Sequence, residues 1–349
     1  VVLLIEEWKR IEQKKIASVY LIIGVEDYII NETKKRLLEN VLSEDELEFN
    51  YVNFDLDETP IQLALEEVET LPFFGDKRLV LASNPSFLTT EKNKSKVEHQ
   101  PEKLEAYLNN PVDYSVLCLV EHVEKLDERK KLTKLLKKTA TVIEAKRPNE
   151  KEFIAWIQNK IKENQFEIQQ EAILHLFELT SGNLTTAMNE LDKLMLYKFE
   201  EKKVVLQDVE NIVVRSLEQN IFLLLDKLIA QDIAGALRIY YDLLKQKEEP
   251  IKIMALVGSQ FRLLNQLKIL EKEGYSSQQA AGMLKVHPFR AKLAAKQARS
   301  FTQEELNFAL LRVSEIDLEL KTGFGNREQK LEWFLFELED YRKKQKGLI

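Results

Sequence analysis

Leu71-Pro72-Phe73-Phe74-Gly75-Asp76-Lys77-Arg78 is the segment whose residue types speak most directly to function. It joins an amphipathic stretch, Ile61 to Glu69, to an apolar run that begins at Arg78. Connections between a helix and a strand lie on the surface. This one carries two adjacent phenylalanines, a leucine, a helix-stopping proline and a turn glycine. Neighbouring side chains at a helix end diverge by about 100°, so Phe73 and Phe74 do not easily share one core. Either both rings pack under a sheet, as most aromatics do, or one or both are held out for a partner. The chemistry of the second case is apolar anchoring.

A basic run offers a different chemistry. From Gly274 to Gln303 there is no acidic residue, while Lys285, Arg290, Lys292, Lys296 and Arg299 are cationic. Such a patch attracts phosphate backbones despite a net charge of −7. Ser276 to Leu284, a break at His287-Pro288 and a second helix together have the outline of a helix-turn-helix, whose second helix would enter a DNA groove. An antiparallel helix pair with a solvated basic face has the same outline.

Catalytic chemistry finds little support. A strand-turn-helix at Val19 to Asn40 stands where a nucleotide phosphate often binds, but its turn is Gly24-Val25-Glu26-Asp27-Tyr28. There is one glycine, no Gly-Lys-Ser/Thr, and two carboxylates where phosphate would approach. Asp27 is instead expected to cap the following helix. The run Leu79 to Asn84 ends without an acid pair for a metal, and Glu121-His122 reads as surface charge. His99, His122, His175 and His287 share no metal-ligand spacing with one another or with Cys118, so no metal site and no catalytic residue is expected. Cys118 lies in an apolar run and is expected to be a buried, unpaired thiol.

The positioning elements fall into three blocks. At 349 residues the chain exceeds one ordinary core. Residues 1–147 alternate short apolar strands (Val19–Ile23, Phe49–Phe54, Arg78–Ala82, Tyr114–Val120, Thr141–Ala145) with helices, the pattern of a parallel sheet covered on both faces. The helix after Gly24 should carry Lys34, Lys35 and Arg36 on its outer face. After Pro148 no strand is expected. Residues 148–214 form a small helical unit opened by an Asn149 cap, and residues 215–349 form longer helices. No stretch approaches the roughly 18 apolar residues of a membrane span. The start, Val1-Val2-Leu3-Leu4-Ile5, lacks the basic residues and cleavage site of a signal peptide, so a soluble cytoplasmic protein is expected.

Assembled in order, these pieces resemble the delta subunit family of the bacterial DNA polymerase III clamp loader, in a Gram-positive style. The resemblance rests on Val19 to Gly24 with Glu26, on Leu71 to Arg78, on Ser181-Gly182-Asn183-Leu184, on His287-Pro288-Phe289 and on Ile316 to Gly323. It implies an AAA+-like α/β domain without a P-loop (1–147), a helical lid (148–214) and an all-α helical collar for oligomerisation (215–349). It implies a non-catalytic subunit of a DNA-directed DNA polymerase holoenzyme, a nucleotidyltransferase, with no cofactor. Its partners would be the beta sliding clamp, the gamma/tau and delta-prime loader subunits, and primer-template DNA. Leu71, Phe73 and Phe74 would be the clamp-binding tip, rimmed by Glu69, Asp76, Lys77 and Arg78. Lys285, Arg290, Lys292, Lys296 and Arg299 would be the residues that face DNA. The alternative is a helix-turn-helix DNA-binding regulator using Arg290 and Lys292.

Overall fold

The protein is described here by a computed structural model that covers residues 2–90, 97–323 and 325–345. Val1, at the head of the apolar N-terminal run, lies outside the described residues. The chain divides into two compact units, residues 1–148 and 149–349.

The first unit is built on five parallel strands, β1 (Val19–Gly24), β2 (Tyr51–Asp55), β3 (Arg78–Ser83), β4 (Ser115–Glu121) and β5 (Thr141–Ala145), in the order β2-β3-β4-β1-β5. The three inner strands are apolar along almost their whole length because both faces of a parallel sheet are covered. The edge strands β2 and β5 tolerate exposed polar residues. Helices α1 (Val2–Glu12), α2 (Asp27–Val41), α3 (Leu47–Asn50), α4 (Ile61–Glu69), α5 (Pro101–Asn109) and α6 (Lys131–Thr139) connect and cover them. Alternation along β1 sorts the faces. Val19, Leu21 and Ile23 join a core with Ile61, Leu65 and Val68 of α4, Leu104 and Leu108 of α5, and Leu132 and Leu136 of α6. Cys118 is fully buried in β4, and burial pushes its thiol up to about 12.

Arg36 departs from the outer-face expectation. Its guanidinium lies 4.7 Å from the centre of the Trp8 ring and pairs with Glu12 and Glu32. Trp8 Nε1 in turn donates to Thr33 Oγ1 at 2.9 Å. A long cationic side chain here packs its stem across an aromatic rather than extending into water.

The second unit contains α7 (Glu150–Glu163), α8 (Gln170–Leu179), α9 (Leu184–Tyr197), α10 (Leu206–Ile212), α11 (Leu217–Ile229), α12 (Ile233–Lys245), α13 (Pro250–Lys272), α14 (Ser277–Met283), α15 (Pro288–Arg299), α16 (Gln303–Thr322) and α17 (Gln329–Gln345). The expectation of no strand after Pro148 is corrected by two-residue strands β6 (Glu167–Ile168) and β7 (Lys203–Val204), which pair in parallel. Two residues are too few to show a period. Stretches 148–214 and 215–349 interlock inside this unit. Phe177 packs against Phe289 at 4.5 Å, Gln219 Nε2 donates to Glu178 O, and the His287 ring lies where a Cβ on Gly182 would go.

Asn149 caps α7 as expected: its Oδ1 accepts from Glu152 N at 3.1 Å while Glu152 Oε2 accepts from Asn149 N at 2.9 Å. Asn149→Ala removes one half of this reciprocal cap and is expected to lower stability by about 1 kcal/mol. The check is a lower urea midpoint at unchanged slope.

Candidate functional site

Helix α4 stops because Pro72 cannot continue it. The loop that follows carries its apolar side chains outward: Leu71 is 68 % exposed, Phe73 53 % and Phe74 80 %. Packing of both rings under the sheet is thereby excluded. The Phe73 ring lies 4.4 Å from that of Phe74, edge to face, and 5.3 Å from that of Phe49, itself 48 % exposed at the end of α3. Edge-to-face pairs place a ring's positive rim on its neighbour's negative face.

Three devices fix this loop. Asn50 is fully buried, and its amide clasps one residue from both ends: Nδ2 donates to Phe73 O at 2.8 Å, and the Phe73 N–H donates to Oδ1 at 2.7 Å. Phe74 then turns the chain with φ +48, a left-handed conformation that non-glycine residues adopt at a cost. Gly75, at φ +158, lies so close to the Glu46 carboxylate that a Cβ there would overlap it. Glu46 is itself anchored, accepting from the Ser43 N–H at 2.7 Å and hydroxyl at 2.8 Å, which holds its carboxyl below the usual range. Arg78, expected on the charged rim, is buried beneath the tip. It donates to Phe49 O at 3.3 Å and pairs with Glu67. Glu69 and Asp76 are exposed, and Lys77 donates to Asp113 O.

The strand-turn-helix after β1 does different work from a phosphate cradle. The N–H groups of Val25 and Glu26 both donate to Ala145 O, at 2.9 and 3.0 Å. Gly24 has φ +148, and a Cβ on it would sit 2.0 Å from that same oxygen. The glycine therefore permits a close approach between β1 and the end of β5. Asp27 is not the cap of α2. The cap position is Glu26, which makes no side-chain cap bond, and Asp27 is the first helical residue, where its charge complements the helix dipole. Its carboxylate lies 3.8 Å from His122 Nδ1. Glu121, read from sequence as surface charge, is buried at the end of β4. Among the described residues no group of three His, Cys, Asp or Glu side chains could hold a metal.

The five cations of the basic run separate in space. Ala291, Ala294, Ala295, Gln297 and Ala298 bury the inner face of α15. Gln297 Nε2 donates to Phe222 O at 3.0 Å and to Asp226 Oδ1 at 2.9 Å. Lys292, Lys296 and Arg299 point outward and line one cavity of about 570 Å³ with Tyr275 and Ser277, while Arg299 also pairs with Glu271 at 2.6 Å. Arg290 pairs with Glu218 at 3.1 Å, and it and Lys285 lie outside that cavity.

Comparison with known proteins bears on what these features serve. Residues 20–146 match the family described as DNA polymerase III, delta subunit, and residues 218–338 match the C-terminal domain of that subunit; residues 149–211 match a family described as a middle domain. The DNA polymerase III subunit delta of Bacillus subtilis is 45 % identical over 331 residues, 95 % of each chain. This chain belongs to the DNA polymerase III delta subunit family. A probable delta subunit of Aquifex aeolicus is 26 % identical over 325 residues, covering 91 % of this chain and 90 % of the relative. The solved structure of the Bacillus subtilis DNA clamp loader delta protein superposes with a TM-score of 0.86 at 44 % identity, over 97 % of this chain and 99 % of that one. The α/β plus helical architecture is thus that of a clamp-loader delta protein. The regulator alternative is not supported, because both helices of its motif fall within the part matching the delta C-terminal domain and α15 is packed into a core.

No helix among the described residues is long and apolar enough to cross a membrane. Sequence reasoning named Leu71, Phe73 and Phe74 but missed Phe49 and Asn50. The strand expected over Phe49–Phe54 absorbs both, whereas they end α3 and β2 starts only at Tyr51; the available signal was an apolar residue beside an Asn at the end of an acidic stretch, Glu44 to Glu48.

Proposed function

We propose that this delta-family protein opens the beta sliding clamp during chromosome replication. Leu71, Phe73 and Phe74 enter an apolar pocket of the clamp, and tighter binding to the open ring than to the closed one shifts the ring open. The carrying observation is a solvent-exposed aromatic pair held rigid by a buried asparagine. A large apolar group kept in water at a conformational cost is the usual mark of an interaction site.

The protein does not hydrolyse ATP in this reading. Engagement of the Val25 and Glu26 amides by Ala145 O supports this, since a phosphate would have to displace those bonds. Control by nucleotide then comes from the gamma/tau and delta-prime subunits, met through the collar (215–349). Primer-template DNA passes the cations between Lys285 and Arg299.

The test mixes the purified protein with its species' clamp in the absence of nucleotide, using a clamp labelled with a fluorophore pair across one ring interface. Binding together with loss of energy transfer is expected. Phe74→Ala should weaken both by tenfold or more, about 1.4 kcal/mol or greater. Tight binding that leaves the ring closed would overturn the opening role, and full binding by Phe74→Ala would overturn the tip.

A further inference from the structure

Resting on the clamp reading, we propose that the contact surface is a three-ring tip in which Phe49 is a clamp-contact residue, and that Asn50 is the positioning residue that keeps the tip formed before the clamp arrives. Phe49 comes from α3, a part of the chain separate from the Leu71–Lys77 loop. Its ring stands against Phe73 at 5.3 Å with about half of its surface in water. An aromatic left this exposed beside two others extends one apolar surface rather than filling a core. Its main chain is fixed too, because Phe49 O accepts from Arg78.

Asn50 explains how this surface persists in the free protein. A buried amide side chain is costly unless its donor and acceptor are both satisfied. Here both the amide nitrogen and the amide oxygen bond to Phe73, through its C=O and its N–H, as a neighbouring strand would. The amide sets the direction of Phe73, and the left-handed Phe74 then places its ring edge against it. Ordering of the loop therefore occurs on folding, and little conformational entropy remains to be lost when a pocket closes over the rings. The three rings reach the clamp as one rigid wedge.

The experiment measures clamp affinity and melting temperature for Phe49→Ala, Asn50→Ala, Asn50→Asp, Phe73→Ala/Phe74→Ala, and Asn50→Ala combined with Phe73→Ala/Phe74→Ala. Phe49→Ala should bind about tenfold more weakly with an unchanged melting temperature. Asn50→Ala should lose about tenfold with both rings present and less than about twofold once Phe73 and Phe74 are both alanine, because the main-chain clasp then has no ring of the loop left to position and coupled residues show non-additive effects. Asn50→Asp keeps only the acceptor and should fall between, which covers the case of an alanine variant that does not fold. Full binding by Phe49→Ala would remove it from the contact surface. An equal Asn50 penalty on both backgrounds would mean that it acts through general folding, overturning the positioning role. Undiminished binding by Phe73→Ala/Phe74→Ala would sink the clamp-tip reading itself, a separate result.

Discussion

Arg342→Ala is expected to destabilise the second unit by about 3–5 kcal/mol, the usual cost of leaving a buried charge without its partner. The guanidinium on α17 is almost fully buried and makes contact with several elements at once. It pairs with the equally buried Glu305 on α16 at 3.4 Å, donates to Leu228 O near the end of α11 at 3.2 Å, and donates to Ser300 O after α15 at 3.0 Å. It also lies 4.6 Å from the centre of the Phe301 ring. Glu305 is held a second time, as the capping-box partner of Thr302. Truncating the arginine would leave this carboxylate in an apolar setting and remove the bonds that tie α17 to Leu228 O and Ser300 O. Glu305→Gln should cost less, since the amide oxygen keeps one of two bonds that the carboxylate accepts on separate oxygens, Oε2 from Thr302 N–H and Oε1 from Arg342. Arg342→Met with Glu305→Leu should recover much of the loss, because a buried ion pair replaced as a whole by apolar side chains is often neutral. The measurement is native-state hydrogen exchange in α16 and α17. Unchanged protection of those helices in Arg342→Ala would mean that the pair contributes nothing to their packing.

Where the chain repeats a simple period, its elements were legible. Ile61–Glu69 and Thr141–Ala145 have the bounds expected of them, and the inner strands agree to within about a residue. What escaped depends on contacts between distant residues. The two-residue β6/β7 ladder has no period to detect. Whether Asp27 or Glu26 occupies the cap of α2 is decided by a turn that Ala145 holds from the far end of the sheet. Arg78 looked like a rim charge because it flanks two polar residues, but the parallel pairing of β3 draws it under the tip. The exposure of the two rings follows from the sequence for a reason only partly right. Both phenylalanines do stand outside the core, yet their rings meet edge to face at 4.4 Å, set by a left-handed residue and an asparagine clasp and not by the 100° step of a helix end. An interaction between Asn50 and the main chain of Phe73, 23 residues away, leaves no trace in periodicity.

The double change Phe73→Ala/Phe74→Ala is expected to weaken clamp binding by about a thousandfold or more, while altering the melting temperature little. Aromatic anchors at interface centres contribute about 2–4 kcal/mol each, so two together contribute about 4 kcal/mol or more, and at 1.4 kcal/mol per factor of ten that is about a thousandfold. The fold should tolerate it because both side chains stand mostly in water and Asn50 bonds only the main chain of Phe73. Salt separates this effect from the basic run. Apolar insertion changes little with ionic strength, so the deficit should be similar at low and at high salt. Binding of primer-template DNA through Lys292, Lys296 and Arg299 should instead fall steeply with salt and be untouched by the double change. A clamp affinity that collapsed with salt in the wild type, or a double variant that lost DNA and clamp together, would place the contact on charged groups and remove the aromatic tip from its role.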